Sequence, residues 1–352
     1  MAREPRHAQP EVGALVTVKF QDGFEHYTTI LDKWSATNGG NQGIGAYGRN
    51  GSQGLYAVHN VGGCRKDLPA AYGTLICGFA FQRTVAGTSG LSFFYFTDAN
   101  TEQVSLRLSA GGTAELTRQG TVLATGTTVL AVNAFNYIEL KIVCADAGSY
   151  ELRINGILEF SGAGDTKATA NATMNGIVLG TRVNFDNTQT QMRFDDVYLV
   201  DTTAPNGDFL GDVRVAYLAP NGNGASSQFV GSDLNSVDNY LLVDEVPAND
   251  DTDYVQSDVL NNIDTYALAD LPANAGVVKS VMSVMKVRKD DAGARSVASV
   301  LRHGVTDNVG VTKALLTTYA TEYEIHDVNP VTAVAWTTAD VNALQAGVKV
   351  VV

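Results

Sequence analysis

With 352 residues and 45% hydrophobic content, the chain can build about two domains with full cores, which excludes a largely disordered protein. Charged residues make up only 17% of the chain, below the usual quarter, and this disfavours coiled coils and charged linkers. The net charge of −13, without a basic stripe, argues against nucleic acid as a partner because phosphates would be repelled.

The start of the chain and the cysteines indicate where the protein is made. Residues 1–10 are polar, so we predict an N-terminal arm and no signal sequence. Cys64, Cys77 and Cys144 are odd in number and lack C-x-x-C spacing, which predicts a reducing cytoplasm. No apolar run approaches the roughly eighteen residues that cross a bilayer, so we predict no membrane partner.

Short runs with period-two alternation follow, and they predict antiparallel strands. Residues 104–108 and 114–117 flank a Gly-Gly turn, and residues 137–143, 150–154 and 157–160 are separated by further turns. Seven Asn-Gly dipeptides punctuate the chain, and Asn-Gly is a strong hairpin signal because both residues tolerate positive φ. We predict one continuous meander within a two-sheet sandwich.

Turn-forming residues crowd at 201–207 and predict a domain boundary there, giving domains at 11–202 and 203–352. The second domain is predicted to open on a strand-like run at 212–218, followed by a loop at 220–231. Residues 277–287 are the longest apolar run, and we interpret them as a strand that forms a hairpin with residues 296–302.

A single short helix is predicted near the end of the chain. Thr337 or Thr338 can cap it, residues 339–345 can form it, and Gly347 can end it before a strand at 348–352. The second domain is therefore also predicted to be mainly β.

Four motifs in the first domain occur in a recognisable order: Asp-Gly-Phe-Glu at 22–25, the hairpin at 150–160, Asn-Gly-Ile-Val-Leu-Gly at 175–180, and Phe-Asp-Asp-Val-Tyr-Leu-Val at 194–200. This order resembles the concanavalin A-like or laminin-G-like jelly roll over residues 11–202. The resemblance implies a fold, and fold alone does not imply function.

Residues 208–215, 243–254, 288–293 and 335–344 resemble a module of tailed-bacteriophage virion proteins, where it follows a lectin-like sandwich. The resemblance implies a non-enzymatic component of the virion, made in the bacterial host cytoplasm. Its implied partners are other virion proteins and copies of itself in a symmetric assembly.

Catalytic motifs are missing from the sequence. The five histidines form no H-E-x-x-H, and no G-x-S-x-G occurs. Glycoside hydrolysis needs two converging carboxylates, but Asp195 and Asp196 are adjacent, so strand alternation is expected to send them to opposite faces. We therefore predict no catalytic residues.

Calcium is the cofactor that merits a test. Laminin-G-like domains often hold a structural ion, and the carboxylates of Asp250, Asp251 and Asp253 are the candidate ligands in the second domain. Residues 98–100 and Asp195 could supply oxygens in the first. Solvated acidic loops are the alternative, so we predict that no cofactor is required.

Exposed aromatic side chains could stack on a sugar ring, as in lectins. Trp34, Tyr47 and Tyr56 lie in glycine-rich, turn-like sequence and are the candidate glycan-binding residues. Burial in the core is the alternative for Trp34.

Together these patterns predict an all-β protein of two β-sandwich domains. The first is a concanavalin A-like jelly roll, and the second is a smaller, mainly-β sandwich with one short helix near the C-terminus. The predicted function is a structural component of a phage tail, neck, baseplate or head decoration. The alternative is an adhesin that binds host-surface polysaccharide, and a glycan-degrading enzyme is a third reading. We expect the second domain to anchor the protein and the first to project outward.

Overall fold

The computed structural model describes residues 17–58, 62–86, 90–182 and 191–352. Within these ranges the chain is nearly all β, as the alternation predicted. Two 3-10 turns, Ile30–Asp32 and Arg49–Gly51, interrupt the first half. Its strands are β1 (Val18–Asp22), β2 (Ala36–Thr37), β3 (Gln42–Gly45), β4 (Gly54–Val58), β5 (Gly63–Tyr72), β6 (Thr74–Arg83), β7 (Ser92–Asp98), β8 (Thr101–Leu108), β9 (Thr113–Arg118), β10 (Thr121–Val129), β11 (Asn136–Val143), β12 (Gly148–Ile154), β13 (Ile157–Gly164), β14 (Met174–Gly180) and β15 (Gln191–Val200).

Two antiparallel sheets form the jelly-roll sandwich of the first half. The front sheet has the order β13-β12-β11-β6-β15-β4-β3, with β1 also paired to β15. The back sheet has the order β10-β9-β8-β7-β14-β5-β2. The predicted single meander is wrong, because β7 to β10 lie in the back sheet and β11 to β13 in the front sheet. The chain changes sheets near Leu130, whose side chain is fully buried.

The core lies between the two sheets and is rich in phenylalanine. Phe81 stacks on Phe93 with 4.2 Å between ring centroids, and Phe79 stacks on Phe94 at 5.0 Å. Phe194, on β15, lies 5.5 Å from Phe81. Such ring pairs add about 0.5–1.5 kcal/mol each beyond the burial of their area, so this core makes the sandwich a rigid support.

Some of the Asn-Gly dipeptides lie at turns and others do not. Asn155 and Gly156, at φ 53° and 78°, form the predicted tight turn between β12 and β13. Asn175 and Gly176, by contrast, lie inside β14. Pairing with neighbouring strands overrides the local preference there.

The second half of the chain is a smaller β structure. Its strands are β16 (Pro220–Ser227), β17 (Val230–Gly231), β18 (Val255–Gln256), β19 (Ile263–Leu268), β20 (Val281–Val287), β21 (Ser296–His303), β22 (Thr306–Val309), β23 (Lys313–Ala314), β24 (Ala320–His326) and β25 (Gln345–Val350). One sheet has the order β16-β19-β25-β21-β22, with β23 on β21, and β17–β18 and β20–β24 form two-stranded ribbons.

The one short helix near the C-terminus is confirmed, but Gly347, which was expected to end it, lies inside β25. It spans Thr338–Asn342 and carries a capping box, in which Thr337 accepts from the Asp340 amide and the Asp340 carboxylate accepts from the Thr337 amide. A further 3-10 turn occupies Asn239–Leu242.

Three further local predictions in this half are wrong. Residues 220–227, expected in a loop, form β16, and residues 212–218, expected in a strand, are irregular. The expected hairpin of β20 with β21 does not form, because β20 pairs with β24 and β21 pairs with β25, β22 and β23. All three outcomes depend on partners distant in sequence.

The two halves are joined by extensive contacts. After the predicted boundary, the chain crosses the outer surface of the front sheet, where the Leu210 amide donates to Tyr198 Oη and the Gly211 amide donates to Glu139 Oε1. The β20–β24 ribbon also packs here, with Met282 and Ile325 against an apolar cluster of the front sheet. This covers part of the front sheet and leaves the end near β3 and β4 uncovered. No helix in the described ranges is long and apolar enough to span a membrane.

Candidate functional site

A row of side chains crosses four neighbouring strands at the uncovered end of the front sheet. Gly43 on β3 is paired with Tyr56 on β4, Tyr56 with Arg193 on β15, and Arg193 with Gln82 on β6. Their strand neighbours, such as Leu55 and Phe194, are fully buried in the core. Because side chains alternate along a strand, the row lies on the outer surface of the sheet.

Two tyrosines form an aromatic corner on this surface. The rings of Tyr47 and Tyr56 lie 4.9 Å apart between centroids, at 62°, and both are partly exposed. Glycines make room for them: a Cβ on Gly43 would lie 2.7 Å from a ring carbon of Tyr56, and one on Gly45 would lie 2.8 Å from a ring carbon of Tyr47. Both rings can therefore lie close to the strand backbone.

Arg193 holds the polar part of the row in place. Its guanidinium carbon is 5.1 Å from the ring centre of Tyr47, within cation–π distance. Its Nη1 donates to Gln82 Oε1 at 3.2 Å and its Nε donates to Gln191 Oε1 at 3.2 Å. A guanidinium has five N–H donors, so these two bonds orient the group and leave donors for a ligand.

We call this surface the tyrosine face, defined by Tyr47, Tyr56, Gln82, Gln191 and Arg193. It combines aromatic rings with amide and guanidinium groups on a rigid sheet. Rings stack on the apolar side of a pyranose, while amides and guanidinium bond to hydroxyl or carboxylate oxygens. None of these five side chains is a carboxylate or an imidazole.

Trp34, the third predicted glycan-binding residue, lies in the core and is 2% exposed. Its ring stacks on Phe24 at 5.9 Å and meets Phe20 edge-on at 5.0 Å. Its Nε1 donates to Asp22 Oδ2 at 2.7 Å. No side of the ring is open to a sugar, so the burial alternative for Trp34 is correct.

Asp22 is the centre of a buried polar cluster that the sequence analysis missed. Lys33 Nζ lies 3.0 Å from Asp22 Oδ1, with both side chains completely buried, and Tyr27 also donates to this carboxylate. Burial raises the pKa of Asp22, but the Lys33 charge and these hydrogen bonds outweigh it and the pKa is lowered overall. The carboxylate is therefore ionised and structural.

The three predicted calcium ligands do not converge. Asp250 pairs with Lys286 at 2.6 Å, and Asp251 pairs with Arg288 at 2.7 Å. Asp253 accepts from the side-chain amide of its neighbour Asn249. Each carboxylate thus has its own partner, and the described residues include no group of three His, Cys, Asp or Glu side chains placed to share a metal.

The candidate oxygens of the first half are also occupied. The Asp98 carboxylate accepts from Thr169 Oγ1 at 2.7 Å and from the Asn171 amide at 3.0 Å. The backbone oxygen of Asn100 accepts from Arg182. These hydrogen bonds tie the β7–β8 turn to neighbouring loops, which is a structural role.

Asp195 and Asp196 do not lie on opposite faces as expected. A bulge in β15, with Asp196 at φ 50°, turns both carboxylates towards Arg49. The Arg49 amide donates to Asp195 Oδ2 at 2.8 Å, and its Nη1 donates to Asp196 Oδ2 at 3.1 Å. Burial and the charge of Asp196 raise the pKa of Asp195 to about 7. Both groups are almost fully buried, so neither opens onto the tyrosine face.

The fold and this surface define a class: a jelly-roll β-sandwich with an exposed aromatic and amide surface on one sheet. No protein-family model matches the sequence, and no curated protein matches it either.

Solved structures match about half of this chain at low sequence identity. An endo-β-1,4-glucuronan lyase from the fungus Trichoderma reesei matches with 11% identity and a TM-score of 0.39, over 52% of this chain and 95% of that one. A cellulose induced protein matches with 14% identity and a TM-score of 0.40, over 56% and 99%. A carbohydrate-binding module from Bacillus subtilis matches with 11% identity and a TM-score of 0.34, over 48% and 96%. Similarities of this size identify neither a family nor an activity.

Proposed function

We propose that this chain is a carbohydrate-binding protein whose ligand lies on the tyrosine face. The observation that carries the proposal is the arrangement of Tyr56 and Arg193 on the adjacent strands β4 and β15, with Tyr47, which follows β3, against both. This proposal agrees with the alternative predicted from the sequence, an adhesin that binds host-surface polysaccharide.

Binding follows from the geometry of the face. One sugar ring stacks on Tyr56 or Tyr47, and the free donors of Arg193 bond to its oxygens. Tyr56 and Arg193 lie on strands above a packed core, and Tyr47 is restrained by its contacts with both. Little conformational entropy is therefore lost when a ligand binds.

We propose that the protein binds the ligand without cleaving it. Glycoside hydrolysis requires two carboxylates about 5–9 Å apart beside the bond that breaks. The tyrosine face has no such pair, and the nearby pair at Asp195 and Asp196 is buried and bonded to Arg49.

We further propose that residues 203–352 anchor the protein in a larger assembly. The supporting observation is the large share of exposed apolar side chains in this half, which includes Leu234, Val277 and Val305. That the assembly is a tailed-phage virion stays a prediction, and it depends on the sequence resemblance alone.

A glycan array with wild-type protein and two variants tests the binding proposal. The Tyr56→Ala variant removes one ring of the face, and the Tyr72→Ala variant removes a partly exposed tyrosine from the back sheet as the matched control. We expect one sugar class to bind wild type and the control, and Tyr56→Ala to bind at least tenfold more weakly, about 1.4 kcal/mol. The proposal is wrong if wild type binds no sugar on the array, or if Tyr56→Ala binds as tightly as wild type.

A further inference from the structure

Arg193 is a half-buried cation on the tyrosine face, and no carboxylate of the described residues pairs with it. Most other arginines in these ranges do have such a partner, as Arg107 has Glu115 at 2.7 Å. Arg193 instead donates to the side-chain oxygens of Gln82 and Gln191, each at 3.2 Å. An amide is neutral, so these bonds orient the guanidinium and leave its positive charge without a counter-charge.

The two glutamines also make the face rich in hydrogen-bond donors. Because Gln82 and Gln191 turn their Oε1 atoms towards Arg193, their NH2 groups remain as further donors. The guanidinium has five N–H groups, and only two of them are used in these bonds. A face with many donors suits an anion, which only accepts, better than a hydroxyl group, which is itself a donor.

A sugar that stacks on Tyr56 also displaces water from Arg193. The two residues are paired directly across β4 and β15, where opposite side chains start about 5 Å apart. A neutral sugar would remove the hydration of the guanidinium without supplying a counter-charge, which is unfavourable. A carboxylate at the edge of the sugar ring supplies that charge and can accept two hydrogen bonds from the planar guanidinium at once.

The net charge of −13 makes this contact selective. At physiological salt, charges more than about 8 Å apart are largely screened, so an anion on the face responds mainly to Arg193. The nearest carboxylates along β15, those of Asp195 and Asp196, are bonded to Arg49. Because the protein as a whole is acidic, it has no general attraction for an anionic polymer, and binding of one requires a specific cationic site.

We propose that the ligand of the tyrosine face is an acidic polysaccharide, and that Arg193 binds the carboxylate of a uronate unit whose ring stacks on Tyr56. This inference rests on the proposed function and adds the chemical class of the sugar. It predicts that a neutral sugar of the same shape binds more weakly, because it lacks the counter-charge.

Isothermal titration with pairs of polymers that differ only in charge tests the inference. The probes are polygalacturonate, polymannuronate and polyglucuronate, each compared with its own methyl ester. We expect wild type to bind at least one acid form, at least tenfold more tightly than the matching ester. Equal affinity for acid and ester, or no binding of any acid form by wild type, would overturn the inference.

The variant Arg193→Gln separates recognition of the carboxylate from a merely structural role. We expect it to bind the acid form at least tenfold more weakly than wild type does and to bind the ester with unchanged affinity. Arg193→Lys keeps the charge but loses the planar fork, so its affinity for the acid form should lie between the two. If Arg193→Gln weakens acid and ester equally, Arg193 only supports the fold of the face and the inference is wrong.

Arg182→Gln is the matched control, because it removes the same charge from another arginine beside a tyrosine. The Arg182 guanidinium carbon lies 5.7 Å from the ring centre of Tyr95, and that ring is only 3% exposed, so a sugar cannot stack on it. We expect this variant to bind the acid form as wild type does. An equal loss in both variants would show that net charge, and not the Arg193 contact, governs binding.

Two further outcomes identify a different ligand class. Tighter binding of dextran sulfate than of any uronan would contradict the choice of a carboxylate. A neutral sugar that binds through Tyr56 and shows no preference for an acid form would overturn this inference and leave the proposed function intact.

Discussion

At the scale of single residues, the buried Asp22–Lys33 ion pair is the most consequential feature of the first half. Both side chains are completely buried, and the carboxylate also accepts from Trp34 and from the Phe24 amide. A buried pair of this kind adds little when compared with apolar residues of the same volume, but breaking it leaves a charge without a partner. The pair therefore fixes the arrangement of β1 and the turn that follows it.

We expect Asp22→Asn to destabilise the protein by about 3–5 kcal/mol, because Lys33 would be left buried without its counter-charge. Urea unfolding measures the change. The double variant Asp22→Asn with Lys33→Met should recover part of the loss. A single variant within 1 kcal/mol of wild type would show that the pair does not hold this region together.

The sequence could indicate only part of the tyrosine face. Tyr47 and Tyr56 were found because glycine-rich sequence predicts residues near a rim. Gln82 and Arg193 were missed because they come from strands more than a hundred residues apart, and only the sheet register brings them together. The burial of Trp34 depends on Asp22 and Phe24, which no local pattern connects to it.

At the scale of secondary-structure elements, the sequence predicted correctly those elements that are stabilised by residues close together in the chain. The C-terminal helix carries its own capping box, and the Asn155–Gly156 turn has the backbone conformation that its residues favour. The pairing of β20 with β24 was not predictable, because alternation shows that a strand exists without identifying its partner. The same holds for β16, whose Asn- and Gly-rich sequence is typical of a loop and is held in a strand by β19.

The segment that crosses from the first half to the second has a pH-sensitive contact. The ring of His26 stacks on Tyr217, with 5.7 Å between centroids. Burial and the charge of Lys33 together lower the pKa of His26 to about 4, against the opposing charge of Asp22. The folded protein therefore keeps this imidazole neutral at pH values where the unfolded chain, with a pKa near 6.5, binds a proton.

This difference sets the sign of a pH effect on stability. The stabilisation by neutral His26 is fully present above pH 6.5 and is lost as the pH falls towards 4, because protons then favour the unfolded chain. We expect His26→Phe to lose about 2 kcal/mol less stability than wild type between pH 8 and pH 4.5. Thermal or urea unfolding at both pH values measures this, and parallel pH profiles for the two proteins would contradict it.

At the scale of the whole molecule, the sequence predicted two β-rich halves but not how closely they are joined. The chain after residue 202 lies on the front sheet and covers part of its outer surface. This contact depends on residues such as Glu139 and Tyr198, which are distant in sequence from the residues they bind. One consequence is that the second half leaves the tyrosine face at the β3–β4 end of the front sheet free.

We propose that the tyrosine face binds a sugar and leaves it unchanged. Isothermal titration of the array-selected oligosaccharide into wild type and into Tyr56→Ala, followed by chromatography of the recovered sugar, tests both parts together. We predict saturable binding by wild type, at least tenfold weaker binding by the variant, and an intact oligosaccharide after prolonged incubation. Cleaved sugar, or binding that does not depend on Tyr56, would contradict this proposal.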